Sequence, residues 1–227
     1  MGLNKSKGNM YDFVTHTWNT IKGECYHDCS YCYMKRWGKL NPVRFDEKEL
    51  KTDLGTGNYI FVGSSCDMFA ENIPDEWIVK TLHYMQKFDC KYLLQTKNPA
   101  RIFDYIDACV FTDKCTVCTT IETDREFPNI TGKSPNVFAR AAAMGEISEI
   151  VDTYVTIEPI MDFNLDVMVQ LIKDCRPKQV NIGADSGKNG LPEPSGAKVL
   201  ELISELEKFT TIHKKNNLSR LIFDKNK

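Results

Sequence analysis

The chain has 227 residues, of which 42% are hydrophobic and 26% are charged, and its formal net charge is -2. This composition fits one folded domain with a sizeable core and excludes an intrinsically disordered chain. The near-neutral total gives no general attraction to polyanions, although a local basic groove would still allow a nucleic acid substrate. Lys35, Arg36 and Lys39 form one small basic cluster, which we interpret first as solvated surface. The N-terminus lacks a secretory signal and no apolar run is long enough to span a membrane, so we expect a cytoplasmic protein without membrane contact.

Short β-rich segments alternate with helical segments along the chain. Six strands are predicted, over 14–21, 59–62, 92–95, 116–121, 154–157 and 179–182. Helices are predicted from Pro74, from Pro99, over 137–144 with Gly145 as C-cap, over 165–175, and after an N-cap at Ser195. This alternation favours a parallel sheet of βα units. We therefore predict an α/β fold, a partial (β/α)6 TIM-like barrel with parallel strands. It would form a single domain over 1–227, with a core of about 14–190 and a C-terminal helix and tail over 194–227.

Three cysteines follow the first predicted strand with the spacing C-x3-C-x2-C, at Cys25, Cys29 and Cys32. The chain has nine cysteines, an odd number, and in a reducing compartment they are not expected to form a disulfide framework. Three thiolates on one loop can bind three irons of a [4Fe-4S] cluster and leave the fourth iron open for a small chelating molecule. A zinc site with His27 or His16 as fourth ligand is the alternative, although this spacing is unusual for zinc.

The triplet resembles the cluster motif of the radical S-adenosylmethionine (SAM) superfamily, including the aromatic Tyr31 directly before the third cysteine. The resemblance implies a [4Fe-4S] cluster and SAM as cofactors. It also implies reductive cleavage of SAM to methionine and a 5′-deoxyadenosyl radical, which abstracts a hydrogen atom from a substrate. An external electron donor such as flavodoxin or ferredoxin would then be a partner. A non-catalytic iron–sulfur protein for electron transfer or sensing is the second hypothesis, and a zinc-stabilised binding module is the third.

Polar residues follow the predicted strands at the end where a parallel α/β barrel carries its active site. The superfamily binds the SAM amino group after its second strand, and this resemblance assigns Gly63, Ser64, Ser65 and Asp67, although the usual Gly-Gly-Glu is absent. Further SAM-binding candidates are Tyr31, Lys97, Thr120, Glu122 and Glu158. Glu122 would bind the ribose hydroxyls, and Lys97 the SAM carboxylate or a substrate anion. Glu158 could face either SAM or the substrate, and exposed loop side chains are the alternative for Lys97 and Glu122.

Cys66 and the segment Thr96-Lys97-Asn98 are similar to the spore photoproduct lyase branch of the superfamily. That resemblance implies a thiol at Cys66 that donates a hydrogen atom to a product radical, and the alternative is a small residue in place of serine. Over about 15–220 the chain also resembles an uncharacterised group of radical SAM proteins frequent in phages, for example at Thr17-Trp18-Asn19 and Gly183-Ala184-Asp185-Ser186-Gly187. The expected substrate is a nucleotide, a nucleic acid base or a small metabolite.

Overall fold

The computed structural model describes residues 3–7, 10–106 and 113–223. The strands are β1 (Asn4–Lys5), β2 (His16–Trp18), β3 (Ile21–Lys22), β4 (Arg44–Phe45), β5 (Tyr59–Val62), β6 (Lys91–Gln95), β7 (Cys115–Thr120), β8 (Asp152–Ile157), β9 (Gln179–Ile182) and β10 (Thr211–Lys214). The α-helices are α1 (Asp75–Met85), α2 (Pro128–Thr131), α3 (Val137–Ile147), α4 (Leu165–Cys175), α5 (Gly196–Leu206) and α6 (Ser219–Phe223). Short 3-10 helices cover Tyr33–Trp37, Glu47–Lys51, Pro99–Tyr105 and Asn216–Leu218. None of the helices in these ranges is long and apolar enough to cross a membrane.

The central sheet has the strand order β1-β2-β5-β6-β7-β8-β9-β10 and is parallel from β2 to β10. Only β1 pairs antiparallel, with β2, and β3 and β4 form a separate two-stranded hairpin. Within the described ranges the sheet keeps two open edges and does not close into a ring. The predicted α/β fold with a partial, mostly parallel barrel is therefore confirmed.

The two faces of the sheet carry two different cores. On the outer face, Val62, Leu94 and Val117 pack in one large cluster with the buried faces of α1, α3, α4 and α5. On the inner face, Phe61, Leu93 and Cys118 pack against residues of the N-terminal segment before β2. This division follows from the strand period of two, which sends alternate side chains to opposite faces.

The N-terminal segment fills the inner face through aromatic side chains. Tyr11 and Phe13 stack with ring centroids 5.4 Å apart, and Phe13 meets the edge of Tyr154 at 5.5 Å. The Lys215 ammonium, just after β10, lies 4.6 Å from the Tyr11 ring centre, and the Tyr11 hydroxyl donates to Gln95 at 2.8 Å. The N-terminal segment therefore contacts both β6 and the residue that follows β10 across the inner face of the open barrel.

The structure differs from the predicted elements at several places. The helix predicted from Pro99 is a 3-10 helix over Pro99–Tyr105. The predicted strand over 14–21 is split, because β2 pairs with β5 in the central sheet whereas β3 pairs with β4 in the hairpin. Asn19 lies between them and accepts a hydrogen bond from the Ser65 backbone. Strand β10 is not predicted from the sequence, and it joins the C-terminal segment to the sheet. Helix α3 does not end at Gly145 but continues to Ile147, and a β-carbon at Gly145 would stand only 2.5 Å from the Asp174 carbonyl oxygen on α4. This glycine therefore allows close helix packing and is not a C-cap.

Candidate functional site

The cysteine loop, residues 25–32, leaves the hairpin strand β3 and runs into the 3-10 helix at Tyr33–Trp37. Two successive turns shape it, because the Asp28 amide donates to the Cys25 carbonyl and the Cys32 amide donates to the Cys29 carbonyl, both at 3.2 Å. Asp28 sits between these turns with a positive φ of 52°, a conformation that Asp tolerates better than most residues. The loop thus folds back on itself within eight residues and gathers its three thiols on one short segment.

A second segment, residues 127–134 around α2, holds the cysteine loop from the side. The Ser30 amide donates to the Ile130 carbonyl and the Lys133 amide donates to the His27 carbonyl, each at 2.8 Å. Gly132 lies directly against the loop with φ 62°, and a β-carbon there would overlap the His27 carbonyl oxygen. The loop is therefore docked through its backbone, and this contact needs a glycine.

The thiols of the loop are free and fit the donor set of an iron–sulfur cluster. A hydrogen bond with the Cys66 thiol lowers the pKa of Cys25 to about 6, so Cys66 lies next to the loop. Burial raises the pKa of Cys32, and the nearby Cys25 and Cys29 raise it further. Among the described residues, no three His, Cys, Asp or Glu side chains converge on one metal ion. A cubane binds each thiolate through a different iron, so its ligands need not converge in this way.

The end of β5 forms a tight turn beside the cysteine loop. Gly63 adopts φ 76°, and its carbonyl accepts the Cys66 amide at 3.3 Å. Asn19 holds the turn, because its Oδ1 accepts from Ser64 Oγ at 3.2 Å and from the Ser65 amide at 3.0 Å. The Tyr33 hydroxyl donates to the Ser64 carbonyl at 2.7 Å. The turn that was expected to bind the SAM amino group is therefore tied to the helix directly after Cys32.

Asp67 is a buried hydrogen-bond centre between the cysteine loop and β6. Its Oδ2 accepts from the His27 ring at 2.8 Å, from the Thr96 hydroxyl at 3.0 Å and from the Lys97 amide at 2.8 Å, and its Oδ1 accepts from the Phe69 amide at 3.0 Å. Burial opposes ionisation of Asp67, but the hydrogen bond and charge of His27, together with the amides of Lys97 and Phe69, lower its pKa. A contact of Asp67 with the SAM ammonium stays a prediction.

A charged cluster of Tyr31, Lys97, Glu122 and Arg140 joins the cysteine loop to β6, β7 and α3. The Glu122 side chain is fully buried, and its Oε1 accepts from the Tyr31 hydroxyl and the Lys97 ammonium while its Oε2 accepts from Arg140 at 2.9 Å. Burial alone would raise the pKa of Glu122, but Arg140 and Lys97 together lower it to about 2. Arg140 also donates to the buried Thr120 carbonyl. We call these four residues the Glu122 cluster.

Glu158 lies on the other side of the strand ends. Its carboxylate passes over Gly183, where a β-carbon would stand 2.7 Å from Oε1. It pairs with the buried Lys215 at 2.5 Å and accepts from the Asn217 amide at 3.1 Å and the Ser186 hydroxyl at 3.4 Å. These three partners lie in the segments that follow β9 and β10.

Comparison with known proteins finds a similarity in fold only. No protein-family model matches the chain, and no curated protein sequence matches it. A solved structure of a spore photoproduct lyase mutant with bound AdoMet and dinucleoside spore photoproduct has a TM-score of 0.63 at 12% identity, covering 92% of this chain and 66% of that chain. The lyase complexed with dinucleoside spore photoproduct has a TM-score of 0.60 at 11% identity, covering 89% and 64%.

This chain thus spans about two thirds of the length of those lyase structures. The open, mostly parallel α/β architecture is shared with spore photoproduct lyase, the branch to which Cys66 and Thr96-Lys97-Asn98 show a resemblance. At 11–12% identity the similarity establishes the fold and not the activity.

The structure brings most of the predicted site residues together. Beside the cysteine loop lie Tyr31, Gly63, Ser64, Ser65, Cys66, Asp67, Lys97, Thr120 and Glu122. The sequence analysis does not identify Arg140 or the pairing of His27 with Asp67. Arg140 carries a recognisable signal, because it shares a helical face with the buried Val137 and Met144, and an arginine on an apolar face needs a buried partner.

Proposed function

We propose that this protein is a radical SAM enzyme, in which Cys25, Cys29 and Cys32 hold a [4Fe-4S] cluster. One observation carries the proposal: a loop with this cysteine spacing docks at the carboxyl ends of parallel strands, against the Glu122 cluster. The fold shared with a lyase structure that contains AdoMet supports it. With the cluster bound, an open iron would supply the electron that cleaves SAM to methionine and a 5′-deoxyadenosyl radical.

The chain's own residues would orient SAM and keep water away from it. The turn Gly63-Ser64-Ser65 offers backbone and hydroxyl groups to the amino end of SAM, and Asp67 fixes this turn relative to β6. Lys97 is half-buried and would bind the SAM carboxylate as an ammonium, with the third N–H that its bonds to Glu122 and Tyr31 leave available. Thr120 and Glu122 remain our candidates for the ribose. Glu158 stays a prediction for SAM or the substrate, and its position near β10 favours the substrate.

Cys66 is our candidate for the residue that completes the reaction. It is 3% exposed and its thiol reaches Cys25, so it lies beside the proposed cluster. In the proposed step its S–H bond breaks, a C–H bond forms on the product radical, and a thiyl radical remains on Cys66. The substrate class is a nucleotide, a nucleic acid base or a small metabolite, and the neighbouring lyase with a bound dinucleoside supports the first two. A cytoplasmic location and the relationship to the phage-type group remain predictions.

One anaerobic experiment tests the proposal. The full chain is reconstituted with iron and sulfide, reduced with dithionite and mixed with SAM, and 5′-deoxyadenosine is measured. We expect cleavage by the wild type, none after Cys25→Ala, Cys29→Ala or Cys32→Ala, and cleavage retained after Cys175→Ala, which changes a buried cysteine on α4. If a cluster forms but never cleaves SAM, the result would instead indicate a non-catalytic iron–sulfur protein. If the protein binds stoichiometric zinc and no cluster, the result would indicate a zinc-stabilised binding module.

A further inference from the structure

The segment that follows the cysteine loop presents an exposed basic and aromatic surface. Trp37 is 73% exposed and Tyr33 is 47% exposed, although side chains of this size are usually buried. The charged side chains between and after them are Lys35, Arg36, Lys39 and Arg44, and all four are exposed. We call these six residues the rim patch.

The rim patch keeps a net positive charge. Lys35 pairs with Asp28 at 2.7 Å, and Glu24 is exposed nearby, where its amide donates to the Asn41 carbonyl. The other three cations of the rim patch make no ion pair with any described residue. Four cations against these two carboxylates leave a charge of about +2, on a chain whose total is -2. Two further carboxylates follow Arg44, but Asp46 pairs with Lys22 and Glu47 pairs with Lys80.

The rim patch is connected directly to the proposed cluster site. Tyr33 follows Cys32 in the chain, and its hydroxyl donates to the Ser64 carbonyl at the end of β5. The Arg36 guanidinium lies 5.9 Å from the Tyr33 ring centre. A protein docked on these side chains would approach the cysteines along one short covalent segment, and electron transfer slows steeply with distance.

We propose that the rim patch is the docking surface for an acidic, flavodoxin-type electron-transfer protein. This inference rests on the proposed function. One electron would leave the reduced flavin of the partner, which becomes a semiquinone, and would enter the cluster. Exposed aromatic residues with cations close to them in the chain suit a small, transient interface, in which charge complementarity sets the association rate.

A single-stranded nucleic acid fits the rim patch less well. Specific nucleic acid binders neutralise about 6–10 phosphates, and the rim patch offers four cations that are partly offset by Asp28 and Glu24. The negative total charge of the chain also opposes long-range attraction of a polyanion. A weak complex with a small acidic protein needs only a few cations near the electron entry point.

Two double variants test the proposal in the reconstituted full chain. Arg36→Gln with Lys39→Gln removes two cations of the rim patch. Lys87→Gln with Lys91→Gln removes two exposed cations at the amino end of β6, away from the cysteine loop. Cluster reduction is followed anaerobically by its visible absorbance, with reduced flavodoxin or with dithionite, at low and high salt. Binding is measured separately by the change in tryptophan fluorescence, and a Trp37→Phe variant gives the contribution of Trp18 and Trp77.

We expect the rim-patch variant to be reduced about tenfold more slowly by flavodoxin at low salt, with a flatter salt dependence. Reduction by dithionite, which needs no docking surface, should change by less than about twofold. The Lys87/Lys91 variant should match the wild type in both assays. Equal flavodoxin rates in all three proteins would overturn the proposal, as would an equal loss with dithionite. Trp37 quenching by a single-stranded oligonucleotide but not by flavodoxin would also overturn it.

The two proposals fail in different ways. If dithionite reduces the wild-type cluster but no 5′-deoxyadenosine forms from SAM, the proposed function fails. The docking inference can still be tested in that case, because cluster absorbance and tryptophan fluorescence do not depend on SAM cleavage. If SAM is cleaved but flavodoxin does not perturb Trp37, the docking inference fails alone.

Discussion

Substitution of Gly132 by Ala tests whether the segment 127–134 holds the cysteine loop. Gly132 has φ 62° and ψ -130°, a region that is nearly closed to residues with a side chain, and occupying it costs about 1–3 kcal/mol. The new methyl group would also overlap the His27 carbonyl oxygen and stand 3.0 Å from the Asp28 carbonyl. Both neighbours are backbone atoms, so the loop itself must move.

Movement of the loop would break the hydrogen bonds Lys133 to His27 and Ser30 to Ile130, each worth about 1 kcal/mol. We therefore expect Gly132→Ala to lower the free energy of unfolding by about 3–5 kcal/mol in total. The displaced loop should also lose most of its reconstituted iron and visible absorbance.

Gly57→Ala is the matched control for this experiment. Gly57 also has a positive φ, 71°, but a β-carbon there meets nothing within 4 Å. We expect Gly57→Ala to lower the free energy of unfolding by only about 1–2 kcal/mol, through backbone strain, and to leave cluster binding intact. Urea denaturation and iron analysis of the two variants distinguish the cost of backbone strain at a glycine from the effect of displacing the cysteine loop. A Gly132→Ala protein that unfolds like Gly57→Ala and binds a full complement of iron would refute the docking of the loop on this segment.

Three further predictions concern the buried carboxylates. Glu122→Gln leaves two buried cations without their carboxylate and should cost about 3–5 kcal/mol in urea denaturation, whereas Glu146→Gln on the exposed side of α3 should cost little. Because the pKa of Glu122 is about 2 in the folded chain against an ordinary 4.5, its ionisation contributes about 3 kcal/mol above pH 4.5. That stability is lost as the pH falls from 4.5 towards 2, so an acid titration in which wild type and Glu122→Gln keep a constant difference would contradict it. Gly183→Ala should push the Glu158 carboxylate away from Lys215 and cost about 1–3 kcal/mol, and a double-mutant cycle with Lys215→Met should give a coupling energy clearly above zero.

The sequence predicts the parallel strands well where they are buried on both faces. Strands β5 and β9 have the predicted bounds, because each ends on an apolar residue directly before a glycine, Gly63 or Gly183. Strand β10, Thr211–Lys214, has one apolar residue among polar ones and carries no such signal. It forms a strand because its backbone pairs with the edge of β9. A contact between residues so far apart in the chain leaves no pattern in the local sequence.

The candidate site divides in a similar way. The spacing of the cysteines is enough to predict the cysteine loop, and strand-end positions are enough to predict Lys97 and Glu122, since parallel strands deliver their carboxyl ends to one edge. The sequence does not tell which partner each charged group takes. His27, weighed as a zinc ligand, instead bonds to Asp67, and Glu158 turns towards Lys215 because Gly183 leaves room for it. Such pairings depend on side chains separated by tens of residues.

The charges around the cysteine loop favour an anionic occupant. Asp67 and His27 form a buried pair: burial opposes a charge on His27, but the hydrogen bond to Asp67 and the charges of Asp67 and Cys25 together raise its pKa. The Glu122 cluster then sets two cations, Lys97 and Arg140, against one carboxylate, because burial and Glu122 raise the pKa of Tyr31 and keep it neutral. An excess positive charge in a buried site is costly unless an anion lies nearby. A thiolate-bound cluster and the carboxylate of SAM are anions of the required sign, and Lys97, which is 14% exposed, is the cation of the two that can reach them.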